Sequence, residues 1–303
     1  MKKILNFISI FTLLFFSLTS CSNAMTYGSS ISQSLYASSG GIITDDGSTT
    51  NYSDSTEAQA NCIIEEDLYE KFIADGTVYL TFDGTSVKAK IGEEGSEITA
   101  TSTESSLGKI SDTKVTITLS ENTEEGSDSD GNEIDAASNG VILKYNGSGK
   151  VKYVLSGDYT GTVFIKNKKA DAAVVLNGVN ITSDSGAGPA MRFSSTNRTF
   201  IVVPSGKENT ITDTRVLNQS ATMYDTKKGS VYSKGPLIFT GETSTTEGGT
   251  LTVENNGFKH AIYSKDYVRV ANLTLNVNVS GTNGRDCIRS LNAVIIDDGN
   301  ISL

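Results

Sequence analysis

The chain has little of what most metal and nucleophilic chemistry uses. One histidine, His260, stands among 303 residues. A single imidazole argues against histidine-rich metal sites and against a catalytic triad. There are three cysteines, Cys21, Cys62 and Cys287, and none has a neighbour at metal-binding spacing. Cys62 and Cys287 lie in very different regions, so a disulfide and two separate thiols both stay open. No Lys/Arg-dense run exists, so nucleic acid is not an expected partner. Prolines number 3 and glycines 29. That balance suits an all-β chain whose turns use positive φ. Beyond residues 4–18 there is no long apolar run.

That run follows Lys2-Lys3 and closes at Leu18-Thr19-Ser20-Cys21. It is too short and wrongly flanked for a membrane span, and predicts a signal peptide over residues 1–20. The Leu-Thr-Ser-Cys ending resembles a bacterial lipobox. The resemblance implies that Cys21 becomes the lipid-modified first residue of an exported, membrane-anchored protein. The other reading is ordinary cleavage near Ala24, which discards Cys21. Ser22 follows rather than Asp. By analogy with Gram-negative sorting, this implies the outer membrane or cell surface.

Charge divides the chain. The formal net charge is −10. Residues 21–139 hold 5 Lys+Arg against 22 Asp+Glu, a net of −17; residues 140–303 hold 18 against 13, a net of +5. The C-terminal half suits an anionic partner.

Residues 21–56 are rich in Ser, Thr and Gly and predict a flexible tether. Residues 57–138 predict an acidic N-terminal capping region of β and helical character. Within it, residues 62–73 carry Ile63, Ile64, Leu68 and Phe72 near helical spacing, which predicts one short helix. Val78-Tyr79-Leu80-Thr81-Phe82, the turn pair Asp83-Gly84 and Val87-Lys88-Ala89-Lys90-Ile91 predict a hairpin. Residues 128–135 look superficially like part of a calcium loop, but lack an early ligand and the closing Glu. An acidic insertion is the plainer reading.

From residue 139 to 303 short strands and Gly/Asn/Asp turns recur without a helical window. Tyr-Ser-Lys occurs at Tyr232-Ser233-Lys234 and again at Tyr263-Ser264-Lys265, with a degenerate copy at Ile288-Arg289-Ser290. Repetition at this spacing is the mark of stacked repeats. The expected fold is all-β, a parallel β-helix solenoid over residues 139–303. Val231, Ile262 and Ile288 are expected to be equivalent, and so are Leu251, Leu273 and Ile301. Period-2 alternation puts Val231, Ser233, Ile262, Ser264, Ile288 and Ser290 inside. Tyr232, Lys234, Tyr263, Lys265 and Arg289 then point outward, with Arg192 on an earlier rung. The outer face is expected to carry an aromatic column beside a basic one.

Several motifs carry a family resemblance. Val154-Leu155-Ser156-Gly157-Asp158-Tyr159-Thr160-Gly161, Val174-Val175-Leu176-Asn177-Gly178-Val179-Asn180-Ile181-Thr182-Ser183, Gly188-Pro189-Ala190, Glu208-Asn209-Thr210-Ile211-Thr212-Asp213 and Ala261-Ile262-Tyr263-Ser264-Lys265-Asp266 resemble a family of bacterial carbohydrate-binding domains. The resemblance covers about residues 75–303. It implies a right-handed coil for the β-helix, a likeness to polysaccharide lyases, and binding of cellulose or acidic polymers such as polygalacturonate, with calcium. The chain departs from the family at Lys234-Gly235-Pro236, which lacks the Asp, and at Arg289-Ser290-Leu291, which lacks Lys and Asp. It also stops inside a strand at Ile301-Ser302-Leu303, where a solenoid needs a cap. Further coils or a capping element are therefore expected.

The expected substrate-binding residues are Tyr232, Lys234, Tyr263, Lys265 and Arg289. Aromatic faces stack on sugar rings, and Lys or Arg pairs with uronate carboxylates. Calcium, if it bridges protein and sugar, is expected on Asp266 and Asp286. No catalytic residue is assigned. A lyase needs a Lys or Arg base near a calcium-held uronate, and Lys265 beside Asp266 is the conceivable pair. His260 is expected to be a turn residue. The alternatives to a binding protein are a uronate lyase and an adhesin or structural surface solenoid.

Overall fold

The computed structural model describes residues 41–43, 49–51, 65–127, 133–183, 189–215, 229–243, 246–257, 259–281 and 284–303. The expected signal peptide, Cys21, Cys62 and residues 128–132 lie outside them. Within the expected tether, Gly41–Ile43 and Thr49–Asn51 pair antiparallel. Among the described residues no helix is long and apolar enough to cross a membrane.

The fold is all-β, with mixed sheets and no closed barrel among the described residues. In one sheet, Glu133–Tyr145, Thr162–Asn167, Met191–Phe193, Gly229–Ser233, His260–Ser264 and Ile288–Ser290 stack parallel in that order. Ser105–Ile110 and Thr113–Ser127 extend it antiparallel. Glu133 and Asp135, the end of the calcium-like stretch, thus belong to a strand.

The second sheet starts from long bent strands, Val151–Thr160 and Ala172–Thr182, which pair parallel with a register shift between Leu176 and Val179. Gly157 and Gly178 take φ of 86° and 72° at this irregularity, a conformation open to glycine. Asn209 fixes the corner: its buried Oδ1 accepts from the N–H groups of Gly178 and Val179, both at 2.9 Å. Above Ala172–Thr182 the sheet divides into two wings. One runs through Thr199–Val202, Leu237–Thr240, Val268–Ala271 and Val294–Ile296. The other runs through Glu208–Asp213, Thr250–Asn255, Thr274–Val279 and Asn300–Ser302.

Alternation then fills a single main core. Val163, Met191, Val231, Ile262 and Ile288 form one inner column, and all belong to the main buried cluster. Leu251 pairs with Leu275, and Leu275 with Ile301. Leu275, not Leu273, is therefore the equivalent residue. Both leucines are buried and two apart, so period-2 reasoning cannot choose between them. The hairpin formed as expected, from Gly76–Gly84 and Ser86–Ile91.

The expected helix over 62–73 did not form in its described part. Glu65–Asp67 and Tyr69–Lys71 are single 3-10 turns, broken at Leu68, whose backbone is extended. The break lets Tyr69 and Phe72 lie on the outer face of the second sheet, against Phe200. They complete a second apolar cluster with Ala173, Val175, Val202 and Ile238.

Neighbouring residues on Thr250–Asn255 should separate sharply in energy. Leu251 is fully buried and Thr252 is not. Leu251→Ala is expected to cost ~2–5 kcal/mol, and Thr252→Ala under about 1 kcal/mol. Denaturant melts of both variants check this, and equal costs would contradict the assignment of faces.

Candidate functional site

The outward side chains of the first sheet form two adjacent columns. The inner of the two reads Ile142, Phe164, Arg192, Tyr232, Tyr263 and Arg289, each paired in register with the next. Strand spacing of about 4.8 Å brings such neighbours into contact. The Arg192 guanidinium lies 4.0 Å from the Phe164 ring centroid, and Lys166 Nζ lies 4.4 Å from the same ring. Tyr232 and Tyr263 stack at 5.9 Å with 5° between their planes. His260 stacks on Tyr263 at 5.5 Å.

These rings are outside the main core, as alternation requires, yet they are covered. Tyr232 is 1% exposed and Tyr263 6%. The expectation of an open aromatic column is corrected on this point: the tyrosine faces are spent on each other and on His260. Arg192 is also buried, at 9% exposure. Burial raises the Tyr263 phenol above its ordinary value, against a smaller opposing effect of Arg289.

The second column is basic. Lys144 pairs in register with Lys166. Backbone bonds from Ser194 to Ile165, Lys234 to Phe193, Lys265 to Ser233 and Leu291 to Ser264 continue it upward. Lys234 and Lys265 are exposed. Lys144 is paired with Glu104. The serines between the columns hold the turns: Ser233 Oγ accepts from Gly235 N at 3.1 Å, and Ser264 Oγ accepts from Asp266 N at 3.0 Å. Ser264 Oγ also donates to Gly235 O at 2.8 Å, binding one rung to the next.

Asp266 and Asp286 do not come together. Asp286 precedes the strand below which Ala261 donates to its carbonyl, whereas Asp266 follows Ser264 at the other end. Asp286 accepts from Arg289 at 3.1 Å and lies 3.2 Å from His260 Nδ1. Asp266 accepts from Asn292 at 2.6 Å. Among the described residues no three His, Cys, Asp or Glu side chains are grouped to hold a metal. The pair does not fit a calcium shell of roughly six to eight oxygens. His260 also departs from expectation, since it is a buried strand residue rather than a turn residue. Cys287 carries a free thiol.

A second polar cluster went unread in the sequence. The fully buried Asp67 carboxylate accepts from Arg198 Nε at 2.7 Å, Tyr267 OH at 2.6 Å and Arg269 Nη1 at 3.2 Å. Arg269 also donates to Asp297. One signal was available: Arg269 between Val268 and Val270 had to face outward from its strand. Asp67, in a Glu-Glu-Asp run, gave none.

Residues 139–303 match the family described as "Carbohydrate-binding domain-containing protein". The chain belongs to this family. The basic column lies wholly inside the carbohydrate-binding domain so matched. Among solved structures the chain is similar to one described as "Structure of the polysaccharide lyase-like protein from C. thermocellum, Gadolinium derivative", at 16% identity and a TM-score of 0.41, over 75% of this chain and 97% of that one. No curated protein matches the chain.

Two phenols, one in the Asp67 cluster and one in the main core, give the fold a pH signature. Tyr267 is raised above its ordinary value by burial and then by its bond to Asp67. Tyr153 is raised by burial and then by Tyr145. The folded chain therefore keeps protons that the unfolded chain releases near pH ~10. The stability these groups contribute is whole below that pH and is lost as pH rises past it. Denaturant midpoints are expected to hold at pH 8 and fall by pH 11, with a smaller fall in Tyr267→Phe. A midpoint that rises across this window would contradict the burial of both phenols.

Proposed function

We propose that this chain is a polysaccharide-binding surface protein that takes acidic glycan along its basic column. In this reading the stacked rungs are coils of a right-handed parallel β-helix. Lipid on Cys21 holds the protein to the outer membrane or cell surface, and residues 22–56 lift the domain away. Membership of a carbohydrate-binding family supports polysaccharide as the ligand. The lipobox-like ending at Cys21 supports the anchor.

The observation that carries the acidic preference is the exposure of Lys234 and Lys265 on consecutive rungs, in line with Lys166 and Lys144. Two pairs of ammonium groups, Lys144 with Lys166 and Lys234 with Lys265, separated by the Ser194 rung, meet a polymer that carries a carboxylate on each sugar. Exposed charges of this kind act with modest strength each and are screened by salt. Multiple contacts along one polymer then set the affinity. The buried Tyr232–Tyr263 stack serves as the rigid floor of this column rather than as a sugar platform.

Affinity pull-down of residues 57–303 on polygalacturonate and on cellulose tests the reading. Retention on polygalacturonate is expected, weakened by added salt; a parallel arm with chelator reads the share that calcium contributes. Lys234→Ala with Lys265→Ala is expected to lower retention about 5–30-fold, from about 0.5–1 kcal/mol per exposed charge. Retention on cellulose alone would overturn the acidic preference, and retention on neither polymer would overturn the binding role.

A further inference from the structure

The Asp67 cluster is built like a ligand site that is already filled. Two guanidinium groups and one phenol converge on a single carboxylate whose side chain is 0% exposed. The donors come from two rungs of the second sheet, and Asp67 lies 131 to 202 residues away from them in sequence. It is delivered by a short strap of two 3-10 turns, with Tyr69 and Phe72 laid on Phe200 at ring distances of 5.9 and 5.5 Å. Beside the strap opens a cleft of about 200 Å³, lined by Phe72 and Phe200, by Lys71 and Lys150, and by the acids Glu65, Glu66 and Asp171; the arginines and Tyr267 lie outside it, against Asp67.

Without the strap, the sheet would present an aromatic ring, Phe200, near Arg198, Tyr267 and Arg269. An apolar floor with a few convergent polar groups is the usual form of a small-ligand site. Paired guanidinium groups select a carboxylate. Arg269 is also bonded to Asp297. Of two arginines and two aspartates, removal of Asp67 leaves one positive charge in excess. A uronic acid offers both matching parts, a carboxylate and a ring face.

We propose that Arg198, Tyr267 and Arg269 form a uronate-binding site that the chain's own Asp67 occupies, so that the strap competes with acidic sugar. The inference rests on the acidic-glycan reading above but places a second site on a different sheet. A self-filled site lowers apparent affinity by the fraction of time the strap is open. Arg198 is 29% exposed while Arg269 is 6%, so Arg198 is the group an incoming carboxylate meets first.

Thermal unfolding of the full chain with sodium D-galacturonate, and with D-galactose as the ring without the carboxylate, tests the proposal. Asp67→Ala is expected to melt below the parent chain. Galacturonate is expected to raise its melting temperature with saturation, at an apparent affinity about 10-fold or more above the parent's. Galactose should do neither. Adding Arg198→Ala should remove the response. If Asp67→Ala fails to fold, Asp67→Asn keeps the shape and is measured in the same way. A folded variant in which galacturonate acts no more strongly than galactose would overturn the proposal and leave Asp67 a structural clamp. Retention of the same variant on polygalacturonate separates the two readings: it persists if only this inference fails, and is lost if the lysine column also fails.

Discussion

Parallel stacking in register is the constraint on which everything else here depends. Each strand from Thr162–Asn167 upward answers its backbone groups with those of the next rung. Because side chains alternate with period 2, equivalent residues must form columns, inside and out. The inner columns make the core. The outer ones turn a one-residue preference into a line of like groups. Four lysines distant in sequence thereby share one column, and no loop has to bring them there.

The same constraint explains how much was legible from residues alone. Val231, Ile262 and Ile288 stand in one column, which the sequence announces because Tyr-Ser-Lys marks the same place on two rungs. Residue spacing gave less: Met191 to Val231 spans 40 residues, Ile262 to Ile288 only 26. Insertions between rungs blur the repeat. Alternation fixes a face and not a position along it, so sequence alone does not separate Leu273 from Leu275, the residue in register with Leu251. The bend at Gly178, held by Asn209, divides the sheet into two wings, and no local pattern announced that division.

What covers the outside was not legible. Alternation placed Tyr232 and Tyr263 outward, and they are outward, but a side chain outside the core is not thereby in water. The rings stack on each other and on His260. The N-terminal strap repeats the lesson on the second sheet. Its apolar residues looked helical because Leu68 and Phe72 are four apart; tertiary contact with Phe200 and the bonds of Asp67 hold single turns instead. Propensity yields readily to such contacts. Partners 131 or more residues apart leave no mark in a local window. The acid-rich N-terminal region and the basic remainder did leave one, in the charge of the two halves. Their meeting at Asp67 is one place where that asymmetry is resolved inside the fold.

Stacking gathers cations into one column on the first sheet, and the proposed function sets acidic glycan along it. Lysine-reactive labelling read by mass spectrometry, with and without polygalacturonate, tests it most directly. The polymer is expected to slow labelling of Lys234 and Lys265 and to leave the exposed Lys88 and Lys207 unchanged. Protection of Lys207 with none at Lys234 and Lys265 would contradict it.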